Sequence, residues 1–165
     1  MGGGRDRRAM TRLAMLLGIG WTSPNSLLGL LAGLACLPGG ARPQWRRRDC
    51  ALVFRHMPWH GVGGALTLGN VILHTGAQLD VPCATYAHRA GHGDEPIISL
   101  ADHERAHVYQ YMVLGPLFLP LYALHGGISA RNRFERAADH YARYGTGWWP
   151  WCKRDGLRAG SAPRG

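Results

Sequence analysis

The chain has 165 residues, 46% of them hydrophobic, and a formal net charge of +9 from nineteen Lys plus Arg against ten Asp plus Glu. That length holds one domain with a modest core and leaves no room for two independent ones. The cations are arginines apart from Lys153, and no zinc knuckle, basic-aromatic RNA motif or recognition-helix pattern accompanies them, so nucleic acid is not an expected partner.

Residues 1–12, with three glycines and four arginines, read as a flexible basic start. Leu13 to Leu37 carries no charged side chain and is interrupted by Trp21-Thr-Ser-Pro24-Asn25. Arg5, Arg7, Arg8 and Arg12 precede it and Arg42, Arg46, Arg47 and Arg48 follow. Arginines bracketing an apolar run point to membrane headgroups, so residues 13–37 are expected to attach the chain to membrane lipid. A tilted span, a re-entrant or interfacial hairpin, an export signal and a buried pair of core helices all fit this pattern.

Pro38 to Arg48 reads as a linker. Cys50-Ala-Leu-Val-Phe54 reads as a strand, Pro58 to Gly64 as a turn, and Ala65 to Leu73 as a second strand completing a hairpin, with Gly69 at a bulge or a close backbone approach. His74 to Pro96 has neither helical nor strand period, which marks a lid or a mobile loop. Its His88 and His92 have metal-pair spacing, but Gly91 and Gly93 argue against a helix there, and they read as solvated loop histidines. The four cysteines, at 36, 50, 83 and 152, form no C-x-x-C, so neither a thiolate-zinc site nor a redox motif is indicated.

From Ile97 the pattern turns helical. Ser99 is placed to cap a helix that Gly115-Pro116 ends, and Asn132 to cap a last helix that Gly145 and Gly147 stop. An aromatic knot of Trp148, Trp149 and Trp151 precedes a disordered tail.

The first of these helices carries His103-Glu104-Arg105-Ala106-His107, an H-E-x-x-H in a chain with nine histidines and three glutamates. Side chains four apart share a helix face, so both imidazoles can reach one metal ion, and the glutamate beside them can take a proton from water there. Catalytic zinc takes three protein ligands and leaves one position open. Glu135, on the last helix, is the candidate third ligand. Asp139, one turn on, is placed to orient a liganding histidine. Two rival readings stand beside this one: His103 and His107 as buried helix residues without metal, and Asn132-x-x-Glu135 as a capping box.

H-E-x-x-H followed by Glu135-Arg-Ala-Ala138-Asp139 resembles the gluzincin zinc metallopeptidases, and E-x-x-A-D is also similar to membrane-embedded zinc peptidases. The resemblance covers Ile97 to Tyr141. It implies a zincin-like core, Zn2+ as cofactor, His103, His107 and Glu135 as ligands, and Glu104 as general base. The segment between His107 and Glu135 is compact, and no residue is assigned to stabilise the oxyanion, for which Tyr141, His140 and Tyr144 are the candidates. The metzincin pattern is excluded because Val113 stands where its third histidine falls. Asp102, Arg105 and the missing downstream Asp-Gly motif disfavour the intramembrane site-two type.

The expected fold is therefore α+β: a mainly helical zincin-like core with a short β-hairpin and an N-terminal apolar membrane segment. The expected layout is residues 1–48 as basic start, apolar segment and linker, 49–147 as metal-binding domain, and 148–165 as tail. The expected function is zinc-dependent hydrolysis of peptides or flexible protein segments near a membrane, of the bacterial inner-membrane kind. The alternative is a non-catalytic membrane scaffold whose structural zinc is closed by a fourth ligand such as His140 or His74.

Overall fold

A computed structural model describes residues 13–59, 64–92 and 97–152. The basic start at 1–12 and the tail from 153 lie outside the described residues, as do residues 60–63 of the expected turn and 93–96 of the expected lid.

Two helices open the described chain, α1 (residues 13–21) and α2 (Ser23–Ala35). The strands β1 (Arg42–Arg46), β2 (Ala51–Arg55), β3 (Ala65–Leu68) and β4 (Val71–His74) form one mixed sheet in the order β1-β2-β4-β3. β5 (Pro82–Ala84) and β6 (Ile97–Ser99) make a second, two-stranded antiparallel sheet, with the short helix α3 (Tyr86–Arg89) between them in the chain. The helices α4 (Leu100–Leu114), α5 (Phe118–Leu124) and α6 (Arg133–Tyr144) complete the fold.

The four-stranded sheet is covered on both faces, and the strand period sorts its side chains between them. Ala51, Val53 and Ile72 pack with Leu100, Ala101 and Val108 on the α4 side. Phe54, Val71 and Leu73 point the other way, where Leu30 and Ala32 of α2 pack against them. The result is α2, sheet and α4 in layers, with α6 against α4.

Several expectations are corrected here. The expected linker contains β1, which pairs antiparallel with β2 through Arg42↔Arg55 to Arg46↔Ala51. The expected long strand from Ala65 to Leu73 is two strands folded on each other. Gly69, at φ +63°, turns the chain, and Ser26 of α2 sits where a side chain at 69 would project. β2 therefore pairs parallel with β4, and the local hairpin is β3–β4. The stretch from His74 to Pro96, expected to lack structure, contributes β5 and α3.

The N-terminal apolar membrane segment is also corrected. No helix among the described residues is long and apolar enough to cross a membrane. The run from Leu13 is divided at Thr22 and Pro24, and its inner edge packs into the domain. Gly29 lies against Val71 and Leu68, while a methyl group at Gly33 would come 2.3 Å from the Phe54 ring. The buried Asn25 donates its amide to the Gly115 carbonyl at 2.8 Å, tying the start of α2 to the end of α4.

α4 is buried along most of its length because it lies between the sheet and α6. Ser99 caps it by accepting from the Asp102 amide. Arg105 on α4 forms an ion pair with the fully buried Asp49 at 2.6 Å and with Asp102 at 2.5 Å, fixing the helix to the β1–β2 turn.

Candidate metal centre

His103 and His107 lie on successive turns of α4, and Glu135 lies in the first turn of α6, all three buried. Helix packing brings them to one point. His103 Nε2 lies 3.1 Å from His107 Nε2 and 3.1 Å from Glu135 Oε2, and His107 Nε2 lies 3.5 Å from the same oxygen. Tetrahedral zinc with bonds of 2.0–2.2 Å sets its ligand atoms about 3.4 Å apart, so the spacing fits such an ion.

The hydrogen bonds behind the ligands decide which atoms face inward. Gln110 Nε2 donates to the carbonyls of Phe134 and Trp148 at 3.2 and 2.8 Å, which leaves its Oε1 as acceptor. That Oε1 lies 2.9 Å from His107 Nδ1, so the ring proton belongs on Nδ1 and the Nε2 lone pair faces the cluster. Asp139 Oδ1 lies 2.9 Å from His103 Nδ1 and assigns that ring the same way. Two ring lone pairs and a carboxylate oxygen thus converge on one buried point. Apart from these two ring nitrogens, Glu135 Oε2 faces no hydrogen-bond partner. Such a point requires positive charge.

The electrostatics agree. Burial pushes the Glu135 carboxyl up, but His107 and His103 beside it outweigh burial and hold it well below the usual carboxylate range. Burial pulls the His103 imidazole down, while Asp139 and Glu135 raise it well above its ordinary value. Without a metal, a proton is the available cation.

Glu135 does not serve as a cap. Asn132 caps α6 by accepting from the Phe134 amide at 3.0 Å, and its own backbone N–H donates to the Ser129 carbonyl. Tyr122 on α5 donates its hydroxyl to Glu135 Oε1, leaving Oε2 for the cluster. Burial first, and then the Glu135 charge, push the Tyr122 phenol strongly upward, which keeps it a donor.

Glu104 points elsewhere. It accepts a 2.6 Å hydrogen bond from the Thr67 hydroxyl of β3 through Oε2. It lines, with His103, Tyr86 and Asp139, a small cavity of about 20 Å³, the size of one water molecule. Glu104 therefore shares a cavity with His103 without belonging to the His103, His107 and Glu135 group.

The other sequence candidates lie apart from this group. His74 has Nδ1 and Nε2 against the carbonyls of Gly64 and Gln78 at 2.7 and 2.9 Å. His140 Nδ1 faces the Thr146 carbonyl at 2.9 Å. Tyr141 packs on Tyr109 and Tyr144 on His140. His88 is exposed on α3. Sequence reasoning missed Tyr122, Thr67 and Tyr86, which lie in three other segments with no motif to mark them. Gln110 was visible by spacing, three residues after His107 on the same face. No family model matches the chain, and no curated protein or solved structure matches it either.

Proposed function

We propose that the protein is a zinc-dependent metallopeptidase-like hydrolase acting on peptides or flexible segments. The observation that supports this reading best is the separation of roles. His103, His107 and Glu135 converge, no fourth His, Cys, Asp or Glu among the described residues joins them, and Glu104 shares a cavity with His103. A scaffold with structural zinc needs a closed sphere, and neither His74 nor His140 closes it.

Zinc held there would act as a Lewis acid and lower the pKa of water to about 7. Glu104 would take that proton and later deliver it to the leaving amine. Thr67 holds Glu104 Oε2, which leaves Oε1 as the oxygen available to take a proton. Gln110 and Asp139 keep both imidazoles in the liganding tautomer.

Glu104→Gln preserves shape and removes the base. The expected result is full zinc content and a hydrolysis rate on a mixed peptide library lower by about a hundred-fold or more. Glu135→Gln is expected to lose stoichiometric zinc, because two histidines alone hold it weakly. Zinc-loaded wild type that cleaves nothing in a broad library would favour the scaffold.

A further inference from the structure

In helices of water-soluble domains the large apolar residues face the core. α1 and α2 do the reverse. Their buried positions are Gly18, Thr22, Asn25, Gly29 and Gly33, a small and polar edge laid against the sheet and the end of α4. Leu30 packs against the sheet, but most of the other leucines point away from the protein: Leu16 and Leu17 are 65% exposed, Leu27 and Leu28 54%, and Leu31 56%. Leu117, just after α4, adds a further exposed apolar side chain at 57%. So many exposed leucines on two consecutive helices need a covering.

Charge and aromatic placement identify what covers it. From Arg7 to Arg48 the sequence has seven arginines and no Asp or Glu. Arg42 and Arg47 are exposed and form no ion pair among the described residues. Trp21 is 51% exposed within the leucine surface, and Trp45 is 55% exposed beside Arg46 on β1. Tryptophan and arginine at the margin of an apolar face match the boundary between acyl chains and anionic headgroups. A second copy of the chain would instead set these arginines against one another.

We propose that the outward face of α1 and α2 docks on an anionic lipid bilayer, with both helices lying in the headgroup plane and not crossing it. This holds whether or not the metal centre is catalytic. It places the domain's N-terminal layer on the lipid and the metal centre on the far side of the sheet.

The test is flotation of the full chain with vesicles of phosphatidylcholine alone or mixed with phosphatidylserine. The expected result is flotation with the mixed vesicles and weaker flotation with neutral ones. Leu27→Ser/Leu31→Ser should reduce partition about ten-fold or more. Both residues are exposed, so the circular dichroism spectrum and zinc content should match wild type. The proposal fails if the folded protein stays with the aqueous fraction, or if the double variant floats as well as wild type. It also fails if bound protein resists an alkaline carbonate wash, which would mean insertion. Sedimentation showing a dimer that the double variant abolishes, without lipid binding, would assign the face to self-association.

Discussion

Gln110 joins the two helices of the candidate metal centre to each other: its amide donates to the Phe134 carbonyl on α6, and its Oε1 lies 2.9 Å from His107 Nδ1 on α4. Orientation of a ligand on one helix therefore depends on where the other helix sits. Gln110→Ala frees the imidazole to rotate and to exchange tautomers. Zinc affinity should fall about ten- to a hundred-fold, as it does when an orienting partner is removed, with little change in helix content. Competition against a chromophoric chelator measures this, and unchanged affinity would show that packing alone holds His107. Asp139→Ala should give a loss of the same order through His103.

Tyr122→Phe removes one hydroxyl and keeps the ring that stacks on Phe118 at 5.5 Å. Glu135 Oε1 then loses its donor. In chelator the variant should be about 2 kcal/mol less stable, the usual worth of a hydrogen bond to a buried charge. Chemical denaturation reads the loss, and adding zinc should restore part of it, because a ligand that binds the folded state stabilises it.

Arg105→Gln tests the ion pair behind the motif helix. Asp49 is fully buried and keeps only Arg46, 2.5 Å away, when Arg105 is lost. Removing one partner of a buried pair costs about 3 kcal/mol or more. The midpoint of denaturation should drop accordingly, and zinc stoichiometry should survive at low temperature. Loss of zinc without loss of stability would place Arg105 in the metal centre itself.

Gly33→Ala probes the seat of α2. The added methyl group meets the Phe54 ring at 2.3 Å, and the helix must lift or the ring must turn. The gain in helix propensity, about 1 kcal/mol, works against an overpacking cost of about 1–3 kcal/mol. A net loss of stability is expected. A stabilised variant would mean that α2 is not seated on Phe54 in solution.

The local chemistry of α4 and α6 was legible in the chain. Ser99 and Asn132 act as caps, Gly115 and Gly145 lie at the helix ends, and the i, i+4 spacing puts His103 and His107 on one face. These features depend on residues within a few positions of one another, where helix geometry leaves little choice. The capping-box alternative for Glu135 could be settled only by structure, because the same Asn-x-x-Glu spacing serves a cap and a ligand equally well.

What lay beyond the sequence was long-range. That β2 pairs with β4 and not with β3 follows from a turn at Gly69, which a run of strand-forming residues conceals. Thr67, Tyr86 and Tyr122 come to the metal centre from β3, α3 and α5, by packing that no spacing records. Hydropathy also misjudged residues 13–37: the number of leucines is read along the chain, but their direction depends on which edge of each helix the sheet accepts. By themselves the residues determined the helix that carries His103 and His107, its caps and its glutamate. Tertiary structure decided the approach of Glu135 to the two histidines, the tautomers of both imidazoles, and the outward turn of most of the N-terminal leucines, because each depends on contacts between segments far apart in sequence.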